Sequence, residues 1–228
     1  MAFDFRSSSP IEIGEVAPSV AGSDVSDEAR LPLQWVFHGL TLWLEFEEFE
    51  SDLHNAIQHA SDKYGTEVIP QPHATAIYGM THLTEQDASR KLHELPYRLT
   101  NGWPRMDRPV GIKQDIAQEG RPGQVCTIAW AELTLATNEK HEAVLDQVYE
   151  LFDMGPRKGP WTPHLSLAYD NPDDTTLSLG DFLHYVADHP TLLRPRKVTA
   201  LSLWNTEGKM ADWKCLDRVH FDRVPVGV

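Results

Sequence analysis

Two short stretches decide how this chain is read: Pro72-His73-Ala74-Thr75-Ala76-Ile77-Tyr78 and Pro163-His164-Leu165-Ser166-Leu167-Ala168-Tyr169. Each continues as an apolar, β-prone run, and the spacing predicts short strands over His73 to Met80 and Pro163 to Tyr169. In a strand, residues i and i+2 point to one face. His73 therefore shares a face with Thr75, and His164 shares one with Ser166. Each strand presents one imidazole and one hydroxyl to the same space.

Working outward, the neighbouring elements follow the same order on both sides. The first half reads as a strand at Gln34 to Phe46, a helix at Glu47 to Tyr64 and the His73 strand. A helix follows at Thr84 to Leu95, stopped by Pro96, and then a strand at Val110 to Ile116. Turn signals at Asn101-Gly102 and Arg121-Pro122-Gly123 surround that last strand. The second half reads as a strand at Val125 to Ala136, a helix at Asn138 to Phe152 capped by Asn138, and the His164 strand. A helix at Thr176 to Asp188, ended by Pro190, precedes strands at Val198 to Trp204 and Trp213 to Phe221. His73 and His164 are 91 residues apart, as are Phe49 and Lys140 in the leading helices and Thr84 and Thr175 further on. A constant offset across three elements points to an internal duplication. The expected fold is α+β, with two similar lobes about a pseudo-two-fold axis. Equivalent strands would then face each other across a central groove.

Two imidazoles and two hydroxyls in one cavity suit phosphoester chemistry. One imidazole takes a proton from water while the other protonates the leaving oxygen. Histidine fits both tasks because its ordinary pKa lies near neutrality. The hydroxyls donate to the phosphoryl oxygens, where negative charge grows. With 11 His, 16 Pro and 27 Ser plus Thr in 228 residues, two chance copies of Pro-His-x-Ser/Thr have odds near ~0.004. The bare His-x-Ser/Thr pattern also occurs at His59, His82 and His189, outside any strand. His54 and His59, like His184 and His189, are five residues apart, which turns them away from a common helix face and argues against a zinc site.

The paired motifs HATA and HLSL resemble those of the two-histidine (2H) phosphoesterases. The longer strings PHLSLAYD and VTALSLWNTEGKMADWKCL are similar to the cyclic phosphodiesterase branch of plants and fungi. The resemblance covers roughly residues 33 to 222. It implies a bilobal fold of two antiparallel sheets lining a central groove, with helices outside. It also implies hydrolysis of 2′,3′-cyclic nucleotides to nucleoside 2′-phosphates, or of ADP-ribose 1″,2″-cyclic phosphate, with no metal and no cofactor. Carried over, the catalytic histidines fall on His73 and His164, the phosphate-holding hydroxyls on Thr75 and Ser166, and a substrate-contacting tyrosine on Tyr169. Two departures stand out. Ala76 is smaller than the apolar residue usual in the first motif, and strict alternation points Tyr169 away from His164.

Composition bounds the partners. The chain carries 20 Lys plus Arg against 34 Asp plus Glu, a net charge of −14. That balance disfavours duplex nucleic acid and anionic membranes, which need a clustered positive field. A small cyclic phosphate is the expected partner, taken up by a monomer in the cytoplasm. Residues 1–30, rich in Ser, Pro, Gly and acidic side chains, read as a disordered acidic tail, and 31–228 as a single bilobal domain. Cys126 and Cys215 lack metal-ligand spacing and read as reduced thiols. Trp130 and Trp204 are candidates to stack on a base, though a tryptophan in an amphipathic strand is more often core. Arg157 and Lys158, just before the second motif, are candidates to reach a phosphate, against the plainer reading of loop charges. Two other classes compete: an RNA-end phosphoesterase of the 2′-5′ ligase or exonuclease kind, which would want a basic strip that this sequence lacks, and a non-catalytic nucleotide- or RNA-binding module. The intact histidines and hydroxyls argue against the last.

Overall fold

A computed structural model describes residues 31–46, 50–121, 124–173 and 175–221, without the side chains of 50, 117–121 and 124–127. The tail expected over residues 1–30, the turn at Arg121 to Gly123 and the Cys126 thiol lie outside that description. The elements run β1 (Leu40–Phe46), α1 (Glu50–Tyr64), β2 (Ala74–Met80), α2 (Glu85–Arg98), β3 (Pro109–Arg121), β4 (Gln124–Leu135), α3 (Glu139–Leu151), β5 (His164–Asp170), α4 (Leu179–Asp188), β6 (Val198–Asn205) and β7 (Lys214–His220). The class is α+β. None of the described helices is long and apolar enough to cross a membrane.

Local chemistry sets most boundaries. Thr84 accepts from the Asp87 N–H and so begins α2, and Asn138 caps α3 by accepting from the Lys140 and His141 N–H groups. Ser178 caps α4, which begins at Leu179, three residues later than the Thr176 start expected from sequence. Pro96 does not stop α2. It is buried inside the last turn, where its fixed φ is already helical, and the Leu99 N–H closes the helix onto the Leu95 carbonyl. β1 begins at Leu40, not at Gln34. Leu33, Trp35 and Phe37 are buried in strand-like alternation, but Gly39 breaks the run at φ +70°.

All strands join in one antiparallel sheet of order β3-β4-β5-β2-β1-β6-β7. The α+β class and the antiparallel pairing expected from the sequence are both present. β2 and β5 lie edge to edge, and the two sheets expected are joined there through one register pair, Ala74 with Leu165. The reason is elementary: two short motif strands left as sheet edges would expose unpaired backbone groups, and pairing them removes both edges. The order is symmetric about this junction. β1 flanks β2 as β4 flanks β5, β3 lies beside β4 and β6 beside β1, and β7 adds an edge strand with no counterpart. The helices share one core with Leu42, Leu44, Ile77, Leu133, Leu165 and Leu201. By alternation the opposite face of the sheet carries Trp43, Thr75, Trp130, Glu132 and Ser202.

Gly39 carries a turn that no other residue fits without strain. A Cβ there would lie 3.0 Å from the Gly79 carbonyl carbon, and the backbone is in the left-handed region. We expect Gly39→Ala to lower unfolding stability by about 1–3 kcal/mol in urea titration; an unchanged midpoint would show that this turn relaxes freely.

Candidate functional site

The Pro-His pairs gain a physical meaning in the structure. The His73 Nδ1 lies 2.5 Å from the Gln71 carbonyl, and the His164 Nδ1 lies 3.2 Å from the Thr162 carbonyl. In both cases the acceptor sits two residues back, across the proline. A carbonyl only accepts, so Nδ1 carries a proton, and in the neutral ring the Nε2 lone pair is left free. Proline fixes its own φ, and its ring favours extended backbone in the residue before it, which holds that carbonyl in place. One local device, used twice, sets one tautomer on both rings.

The Ala74–Leu165 pair brings the motifs together. Its antiparallel sense sets His73 across from Ser166 and Thr75 across from His164, at the ~4.5–5.5 Å spacing of cross-strand neighbours. The four polar groups form a square on the sheet face away from Leu42 and Leu133, with like groups on the diagonals. The Trp161 Nε1 donates to the Thr75 carbonyl at 3.1 Å, a second tie between the segment before β5 and the first motif.

The two imidazoles sit in different surroundings. His73 is 6% exposed and stacks face to face on Trp43, with centroids 3.5 Å apart and planes 7° apart. Trp43 stacks in turn on Trp204 at 4.3 Å, and the Trp204 Nε1 donates to the Ser202 hydroxyl. Burial pushes the His73 pKa down to about 3, outweighing the bond to Gln71, which raises it; His164 adds a smaller lowering by charge repulsion. His164 is more open, with its side chain 27% exposed, and its Nδ1 lies 3.7 Å from the Glu132 carboxylate.

Tyr169 reaches the site by a route that simple alternation hides. β5 pairs Ser166 with Glu132 and Ala168 with Ala131, so Leu167 is an extra residue, a β-bulge. The bulge shifts the parity, and Tyr169 lands on the same face as His164 and Ser166. Its hydroxyl meets the Ser166 hydroxyl at 2.8 Å. Burial, helped by the Glu132 charge, raises the Tyr169 pKa to about 12, so the phenol keeps its proton. β2 repeats the feature: it pairs Thr75 with Trp43 and Ile77 with Leu42, leaving Ala76 as the extra residue. Tyr78, 91 residues before Tyr169, comes to the site face, and its hydroxyl accepts from the His38 N–H at 3.0 Å. Sequence reading missed Tyr78, although the 91-residue offset from Tyr169 marks it. The small Ala76 that departs from the motif is a bulge residue, 3% exposed in the helix-side core.

Of the remaining candidates, Trp130 and Trp204 are both buried on the site face, at 6% and 7% exposure. The Trp130 Nε1 donates to Glu132 at 2.8 Å. Arg157 does not reach toward the motifs. It is bound to Glu142 and Asp146, and Glu142 also accepts from the Trp161 N–H. Arg157 therefore braces the segment that leads to His164. The Thr75 hydroxyl makes no hydrogen bond among the described residues, which leaves it available to a ligand.

No family model matches the chain, and no curated protein sequence matches it. Solved structures with a related trace include E. coli LigT complexed with 3′-AMP (13% identity over 82% of this chain and 99% of that one, TM-score 0.45). Others are LigT complexed with NADP+ (14%, 82% and 99%, TM-score 0.43) and a crystal structure titled only as a phosphoesterase (12%, 79% and 96%, TM-score 0.39). Likenesses at this level fix neither family nor activity.

The His73 environment has a measurable thermodynamic effect. The unfolded chain takes up this proton near pH 6.5 and the folded chain only near pH 3. In that window the unfolded state binds more protons, so stability falls as pH falls, by up to about 1.4 kcal/mol per pH unit. We expect His73→Gln to lose less stability than wild type between pH 7 and pH 4.5 in urea unfolding. Equal losses would show that His73 charges freely in the native state.

Proposed function

We propose that this chain is a phosphodiesterase of the two-histidine type, which opens cyclic phosphates by acid–base catalysis without a metal. The substrates that fit are a nucleoside 2′,3′-cyclic phosphate, giving the 2′-phosphate, and ADP-ribose 1″,2″-cyclic phosphate, giving ADP-ribose 1″-phosphate. The observation that carries this reading is the square of His73, Ser166, Thr75 and His164 about one backbone pair. It offers two Nε2 atoms with a common tautomer and two hydroxyls on one face of the sheet.

The chemistry follows from that set. Water adds to phosphorus, one Nε2 accepts its proton, and the bond to the ribose 3′ oxygen breaks as the other Nε2–H protonates that oxygen. Thr75 and Ser166 donate to the non-bridging oxygens, whose charge rises in the transition state. Tyr169 keeps its proton and holds the Ser166 hydroxyl, which fixes one of the two donors before substrate arrives. The acidic chain accommodates an anion here because the donors are local and the imidazolium supplies positive charge at the reacting atoms. The resemblance of HATA and HLSL to the two-histidine family points the same way.

The test is turnover of 2′,3′-cyclic AMP in EDTA, with the product identified as 2′- or 3′-phosphate. We expect metal-independent hydrolysis to the 2′-phosphate, and a loss of at least about 10²–10⁴ in kcat for His73→Ala and for His164→Ala. Turnover that survives either substitution would overturn the paired-imidazole mechanism. Wild type inactive on this nucleotide and on the ADP-ribose cyclic phosphate would overturn the substrate class.

A further inference from the structure

The two histidines share a tautomer but not an environment, and the difference bears on which one gives a proton and which takes one. Among the described residues no carboxylate lies at ion-pair distance from His73. Its ring stacks on Trp43, and the residue is 6% exposed. His164 has the Glu132 carboxylate 3.7 Å from Nδ1, on the side of the ring away from its free Nε2. Glu132 is 6% exposed, unusual for an ionisable side chain, and is fixed from its own strand by the Trp130 Nε1 at 2.8 Å. The β4–β5 register places it directly across from Ser166, two steps along the ladder from the Thr134–His164 pair and on the same face. On the other side, Lys113 of β3 pairs with Glu132 in the ladder, but its ammonium binds Asp115 at 2.9 Å. The Glu132 charge is thus buried, fixed and aimed at one imidazole of the two.

We infer that Glu132 is a positioning residue for His164, holding it as the proton donor to the leaving oxygen, while His73 takes the proton from water. This rests on the phosphodiesterase reading above. In this cycle His164 enters as the imidazolium, its Nδ1–H toward Thr162 and Glu132 and its Nε2–H toward the ribose oxygen. His73 is neutral, with the Nε2 lone pair toward water. Water oxygen bonds to phosphorus, its proton moves to the His73 Nε2, the bond from phosphorus to O3′ breaks, and the His164 Nε2 proton passes to O3′. Exchange of one proton each with solvent restores both rings. A buried carboxylate favours the charged ring over the neutral one, so it stabilises the donor in its working state. A base in that position would instead be hindered in returning its proton.

A leaving group that needs no proton separates the roles. The probe is the 2′,3′-cyclic phosphate of adenosine carrying sulfur in place of the bridging 3′ oxygen, compared with the ordinary cyclic nucleotide. A thiolate departs without an acid, so the substitution bypasses the donor but not the base. We expect His164→Ala to recover at least about 10²-fold on the sulfur substrate relative to the oxygen substrate, and His73→Ala to recover nothing. Glu132→Gln keeps an acceptor for Trp130 and the side-chain shape. Its kcat should fall about tenfold on the oxygen substrate and less than twofold on the sulfur substrate, with KM little changed on both. A Glu132→Gln variant equally slow on both substrates would mark Glu132 as merely structural, and one slow on neither would remove it from the mechanism. Sulfur rescue of His73→Ala instead of His164→Ala would reverse the assignment. Wild type inert toward both nucleotides and toward the ADP-ribose cyclic phosphate would overturn the phosphodiesterase reading itself, an outcome distinct from all of these.

Discussion

One backbone pairing, Ala74 with Leu165, organises this molecule. It joins two half-sheets edge to edge, and its register alone decides which side chains become neighbours. A slip of one residue would turn every motif side chain to the helix-packed face. A slip of two would separate His73 from Ser166 and Thr75 from His164. The helix-side core resists both shifts, because Leu42, Ile77, Leu133 and Leu165 are buried together there. The polar square is held by apolar packing on the reverse side of the sheet.

Around that square, similar parts produce dissimilar chemistry. The proline–histidine device gives both rings one tautomer, and bulges at Ala76 and Leu167 bring a tyrosine to each side. The symmetry then breaks in the outer layer. Trp43 and Trp204 stack behind His73, while Glu132 and Trp130 stand behind His164. Two equal imidazoles would compete for both roles; a buried, uncharged one and a carboxylate-backed one do not.

Much of this was legible in the sequence. Element types followed from periodicity and caps, and His73, Thr75, His164 and Ser166 followed from strand parity together with the 91-residue offset. What escaped had definite physical causes. The edge-to-edge joining of β2 and β5 depends on which strand edges remain unpaired, which no local pattern records. The place of Tyr169 was hidden because a bulge changes parity within one strand, and Tyr78 was missed with it. Glu132 looked like any acidic residue in an alternating strand, since its significance comes from a neighbour 32 positions away. Pro96 misled because a proline near a helix end keeps a helical φ and forfeits one N–H bond, while the Leu99 N–H still closes the turn onto Leu95.

The indole of Trp161, bonded to the Thr75 carbonyl, has a mechanical consequence. Two half-sheets joined at one residue pair would make a natural hinge, free to flex about that line. Trp161 crosses the line, and its own backbone is anchored through Glu142 and Arg157 to α3. The joint is therefore triangulated. Opening one half against the other would break the Trp161 bond and draw on α3. The span between the two imidazoles is thus a fixed jaw width, set by the sheet and not by the ligand.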